Sequence, residues 1–198
     1  MKTHILFVAT LVVSSIVNAQ SILSTNQFEI DPSKSVLNWH GSSLFQINDH
    51  NGTVQFSSGY LKIENGQLWG GSFKVDMTTI HAIDGGANGE LDKHLKNADF
   101  FDVTKYPTAW LSIQKVNPIE KNTYEVEANL NIKGITKPVL FVAKLQDVGT
   151  NWQLSTRFII DRSRWNIIYA SKGSEIMNPI KDYSISDAIK FEVTIITR

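Results

Sequence analysis

TYEVEANLNIKGITKPVLFVAKLQ, residues 123–146, reads as two β-strands around a tight turn. Tyr124, Val126, Ala128, Leu130 and Ile132 alternate with Glu125, Glu127, Asn129 and Asn131. A strand sends successive side chains to opposite faces, so this period of two buries one face and wets the other. Lys133-Gly134-Ile135-Thr136 makes the turn, and Val139, Phe141, Ala143 and Leu145 take up the pattern again.

The same rhythm runs outward in both directions. Downstream, Trp152, Leu154, Thr156, Phe158 and Ile160 alternate with Gln153, Ser155, Arg157, Ile159 and Asp161, and Ile189, Phe191, Val193 and Ile195 form a last alternating run. Upstream, Asn51-Gly52 and Asn65-Gly66 are Asn-Gly pairs, a strong hairpin signal because both residues accept positive φ. Around them Thr53 to Ser57 and Leu61 to Ile63 read as short strands. In residues 68–77 the spacing puts Trp69, Phe73, Val75 and Met77 on one face and Ser72, Lys74 and Asp76 on the other. At least seven strands with short connections predict an all-β chain, an antiparallel barrel or sandwich.

One segment departs from this pattern. Residues 84–89 are rich in Gly and Asn, and 90–97 read as a short helix with Leu91 and Leu95 on one face and Asn88 as its N-cap. Phe100 and Phe101 follow, and Pro107 forces an extended restart.

The whole chain of 198 residues has 19 basic and 19 acidic side chains and no cysteine. Its first 19 residues read as a secretory signal: Lys2, an apolar run over 5–17, then Val17-Asn18-Ala19 as the cleavage site. That run is shorter than the ~20 residues of a membrane-spanning helix. Residues 20–198 then form one domain, with 20–26 as a loose tail, and must fold on its core without disulfides. Without Lys2 there are 18 basic and 19 acidic side chains, no excess with which to hold a phosphate backbone. Stable membrane insertion and nucleic acid are therefore not expected.

The search for chemistry returns little. The chain has no Cys nucleophile, no G-x-S-x-G elbow and no H-E-x-x-H. His40, His50 and His81 are spaced to approach one another across strands, as a metal site or as turn histidines. His94 and Asp99 offer an acid/base pair only across a helix end; the plainer reading has His94 bonding a strand backbone and fixing the helix. Ten Phe and five Trp fall largely on inward faces. A barrel of about eight strands can be filled by such side chains or can hold one ligand, and sequence alone does not separate the two.

Six blocks in order resemble the YceI-like family of exported, lipocalin-like proteins. Residues 31–39, with Lys34 where the family has His, are similar to its opening strand; Gly52-Thr53-Val54 with Ser58-Gly59 to its hairpin; and Gly70 to Phe73 with Asp76 to Ile80 to its G-G-x-F and D-M-x-S-I segment. Residues 94–109 resemble "HLks.dFFdv.kyPta", 129–138 "gdLtIkGiTkpv", and Asp161-Arg162-Ser163 with Tyr169 the "idR…Y" segment. Ile47-Asn48-Asp49 in place of glycines and Trp110 in place of Phe add bulk.

The resemblance implies a lipocalin-like barrel of about eight strands with an inserted helix, and a binding role without catalysis or cofactor. The ligand it implies is long and apolar: a polyisoprenoid, an isoprenoid quinone or a fatty-acid-like lipid. The wall expected from it comprises Trp39, Phe73, Val75, Met77, Trp110, Leu130, Phe141, Phe158 and Phe191. Phe101, beside Phe100, would close one end. Arg162 and Arg164 would meet an anionic head or make surface salt bridges. The implied place is a bacterial periplasm or the medium, the purpose transport, storage or stress protection, with a homodimer left open. The alternatives are a histidine-based metal enzyme and a ligand-free structural protein.

Overall fold

A computed structural model describes residues 26–42, 49–84, 89–171 and 185–198. The proposed signal segment, Asn88, Ile47 and Asn48 lie outside the described residues. Nine strands are present: β1 (Asn26–Glu29), β2 (Val36–Ser42), β3 (Asp49–Glu64), β4 (Gln67–Ala82), β5 (Thr108–Glu120), β6 (Thr123–Ile132), β7 (Ile135–Asp147), β8 (Trp152–Asp161) and β9 (Ala188–Ile196). One helix, α1 (Glu90–Lys96), lies between β4 and β5, and a 3-10 turn (Arg162–Trp165) follows β8.

Strands β2 to β9 form a closed antiparallel barrel in chain order, with β9 pairing back on β2. β1 is added outside this ring, on β3, with Asn26 opposite Ile63 and Glu29 opposite Tyr60. Connections therefore alternate between two ends. At one end Ile30 bridges Thr197, and Ile30, Leu61, Ile63, Leu68, Leu145, Leu154 and Ile195 pack with almost no exposure. The other end carries α1, the 3-10 turn and the entry to β9.

The phases read from β6 to β9 hold. Tyr124, Val126, Ala128, Leu130 and Ile132 are all buried, while Glu125, Asn129 and Asn131 are half-buried and Glu127 is exposed. Asn65-Gly66 turns with the positive φ that the sequence predicts, and the turn at Lys133-Gly134 has positive φ as well.

Three upstream readings are corrected. Asn51-Gly52 is no turn but part of β3, which runs unbroken over the two short strands expected there. Gly52 is needed for space: a Cβ would lie 2.0 Å from the His81 carbonyl oxygen and 2.5 Å from the Trp39 ring. Trp69 is 59% exposed and does not share the face of Phe73. Gly70 and Gly71 are both buried, and the ladder slips between Lys62 and Ile63, so the alternation changes phase there.

Helix α1 starts at Gly89 (φ 72°) without a side-chain cap. It is held by Asp92, whose carboxylate accepts from the Ala82 N–H (2.7 Å) and meets His81 Nδ1 (2.7 Å). Desolvation pushes the Asp92 carboxyl up, but the His81 contact, the Ala82 N–H and nearby Lys96 outweigh it and leave the group below its usual value. Beyond the helix, Phe101, Asp102 and Val103 donate backbone N–H groups to Leu95, Asn97 and Lys96. Lys133 Nζ bonds the Ala98 carbonyl (2.9 Å) and ties this loop to the β6–β7 turn.

Candidate functional site: an apolar cavity

Barrel closure leaves a cavity of about 1090 Å³ between β2–β9 and α1. The sequence could not distinguish a filled barrel from a hollow one; the side chains do not meet across it.

The nine residues expected in the wall, with Phe101 and Arg162, border this space; Arg164 does not. Phe73, Val75 and Met77 come from β4, Trp110 from β5, Leu130 from β6 and Phe141 from β7. Phe141 and Phe158 stack with centroids 5.0 Å apart, and Phe158 lies 5.2 Å from Phe191, an aromatic band across β7, β8 and β9. Trp39 on β2 covers Gly52. Trp110 is half-buried and stands in register with Lys74 and Asn131, the outward phase of β5 between the inward Ala109 and Leu111, so it adjoins the cavity without being part of the inner face expected from the sequence.

Phe100 and Phe101 are both buried, with ring centroids 5.0 Å apart, and both reach the cavity from the α1 end. Asp99 is exposed. The His94 ring instead packs edge-on against Tyr169 (4.5 Å) and near Phe100 (5.8 Å). Its Nε2 is buried without a hydrogen-bond partner, so the expectation that His94 bonds a strand backbone is not met. Tyr169, Ile185 and Ser186 also line the space, a role that the sequence does not assign to them. Only the family-like "HL…FF" and "R…Y" blocks hinted that these segments converge.

Arg162 is the largest departure. It is fully buried, not a surface ion-pair residue. Its Nε, Nη1 and Nη2 donate to the carbonyls of Ser186 (3.1 Å), Ile167 (2.7 Å) and Ile185 (3.2 Å). Asp187 lies 3.2 Å from Nη2, and the Phe100 ring covers the guanidinium with its centroid 5.5 Å from Cζ. Burial pulls the guanidinium pKa below its usual value, opposed by Asp187 and Asp161. Arg164 is exposed, outside the lining, and donates to the Pro138 carbonyl (3.2 Å).

The three strand histidines do not converge. His50 pairs with Asp84 (3.0 Å) and His81 with Asp92. Among the described residues no group of three or more His, Cys, Asp or Glu is placed to hold a metal ion. No helix among them is long and apolar enough to cross a membrane.

Comparison with known proteins agrees with this architecture. A UPF0312 protein of Azotobacter vinelandii is 31% identical over 98 residues, half of each chain; the chain thus spans about half the length of that curated relative. The crystal structure of Burkholderia cenocepacia BcnA superposes with TM-score 0.70 at 17% identity, covering 85% of this chain and 99% of that one. A polyisoprenoid binding domain from Saccharophagus degradans superposes with TM-score 0.60 at 12% identity, covering 86% and 97%. At these identities the likeness is one of fold. The sequence model of the YceI-like domain matches residues 28–196, almost all of the barrel, and the chain belongs to the YceI-like family.

Proposed function

We propose that this chain is an exported, non-enzymatic binding protein that holds one long-chain apolar molecule inside its barrel. The classes that suit it are a polyisoprenoid, an isoprenoid quinone or a fatty-acid-like lipid. The observation that carries this reading is the cavity itself: about 1090 Å³, walled by aromatic and aliphatic side chains. A void of that size is costly to leave empty. Water gains few hydrogen bonds from such walls. A prenyl or acyl chain fits their chemistry, since each CH2 removed from water contributes about 0.8 kcal/mol before the cost of ordering the chain. The Saccharophagus degradans neighbour, described as a polyisoprenoid binding domain, supports the same class. Export to the periplasm rests on the signal-like residues 1–19.

The test is to block the cavity without disturbing the ladder. Ala109 is buried on β5, opposite Val75, and borders the space. Ala109→Phe should fold with unchanged far-UV circular dichroism and lose at least tenfold in affinity for geranylgeraniol. Unchanged affinity in the folded variant would mean that the ligand is not held in the barrel.

A further inference from the structure

We propose that the cavity is built for an uncharged head group, so that its ligand is a long apolar chain ending in a hydroxyl or carbonyl oxygen, not in a carboxylate or phosphate. This rests on the binding reading above and narrows it.

Arg162 is the one Lys, Arg, Asp or Glu among the described lining residues, and its charge is already answered. Three of its five N–H donors go to backbone carbonyls, Asp187 stands beside it and Phe100 covers its face. With no exposed atom surface, it has no free edge to present to an anion. His50 faces Asp84. An anionic head drawn into this end would therefore shed its water without gaining a free cation.

The wall does hold hydrogen-bonding capacity without charge. Trp39 Nε1 and His94 Nε2 are both buried and unpartnered, and both belong to side chains that border the cavity. Trp39 is only 7% exposed, and an indole N–H can only donate. Native interiors rarely leave such a donor unmatched, so an oxygen that accepts from it is the missing partner. An imidazole nitrogen can accept from a hydroxyl or donate to a carbonyl, according to where the ring carries its proton. An alcohol or a ring ketone satisfies either nitrogen and brings no charge.

Three C20 ligands of one chain, geranylgeraniol, geranylgeranoic acid and geranylgeranyl diphosphate, should be titrated against the purified protein at pH 7.5, with the hydrocarbon phytane as reference. The alcohol should bind at least tenfold more tightly than either anion. Trp39→Phe, which keeps the ring and removes the N–H, should lower the ratio of alcohol to phytane affinity by roughly three- to tenfold. An acid or diphosphate that binds as tightly as the alcohol would overturn the uncharged-head proposal while leaving the binding reading intact. An unchanged ratio in Trp39→Phe would remove Trp39 as the head-group donor. Binding of none of the four would overturn the binding reading, and this one with it.

Discussion

Replacing Arg162 with Met separates two roles for the one buried cation among the described residues. Met keeps much of the unbranched stem and so most of the packing. What it removes is the guanidinium, and with it the donors to the carbonyls of Ser186, Ile167 and Ile185 and the partner of Asp187. An acceptor left buried and unpaired costs about 1–3 kcal/mol, and breaking a buried charge pair about 3–5 kcal/mol. These overlap, because Asp187 is 27% exposed and water can reach part of this cluster. A total of about 4 kcal/mol is therefore expected. With a urea slope of about 2 kcal/mol per M, the unfolding midpoint should fall by about 2 M. Arg164→Met is the control: exposed and joined to one carbonyl, it should move the midpoint by less than about 0.3 M. Urea unfolding of the three proteins, followed by tryptophan fluorescence and circular dichroism, reads this directly. If Arg162→Met shifted the midpoint by no more than the control yet abolished binding of an anionic ligand, Arg162 would be a head-group contact and the reasoning would fail.

Gly52→Ala should destabilise by about 3 kcal/mol, since its Cβ would meet the His81 carbonyl oxygen at 2.0 Å and the Trp39 ring at 2.5 Å; thermal unfolding measures this, and a change below about 1 kcal/mol would contradict the packing. Asp92 titrates below its ordinary 3.8 in the folded chain, so its contribution is present above about pH 4 and is lost as pH falls through the folded value. Asp92→Asn should accordingly lower Tm at pH 7 and lower it less as the pH falls below 3.8; an equal deficit throughout would refute the anchoring of α1 by that carboxylate. The β7–β8 ladder covers only Ala143–Asp147 against Trp152–Thr156. Beyond it, the carbonyls of Val142 and Pro138 on that edge take side-chain donors from Thr156 and Arg164, and alternation leaves the Leu140 N–H facing the gap. Hydrogen exchange should find Leu140 among the fastest strand amides and Ala143 to Leu145 among the slow ones; slow exchange at Leu140 would mean that the barrel wall is sealed there.

What could be read in the sequence depended on how local its cause was. The phases of β6 to β9 follow from alternation within each strand, and the structure keeps them residue by residue. Asn65-Gly66 and Lys133-Gly134 turn because their backbones adopt positive φ. Asn51-Gly52 looks the same in one dimension, but its glycine answers to Trp39 and His81 on neighbouring strands, which no local pattern reveals. Trp69 was misplaced for a related reason: a slip in the pairing of Lys62 and Ile63 with β4 reverses the phase. The inward residues of the wall were legible, yet the same list suits a filled core, because volume is set by barrel closure and not by composition. Arg162 and His94 were misread because their surroundings come from segments that sequence distance hides. The carbonyls around Arg162 lie 5, 23 and 24 residues away, and Tyr169 reaches His94 from beyond the 3-10 turn.

Native mass spectrometry of the protein purified from its own cell envelope, with solvent extraction of the same sample, addresses the central claim most directly. A cavity that holds a long-chain apolar molecule predicts a complex heavier than the polypeptide, an excess mass that moves into organic solvent, and an isoprenoid or acyl pattern in the extract. A bare polypeptide mass that persists after incubation with long-chain alcohols, quinones and acids would contradict it.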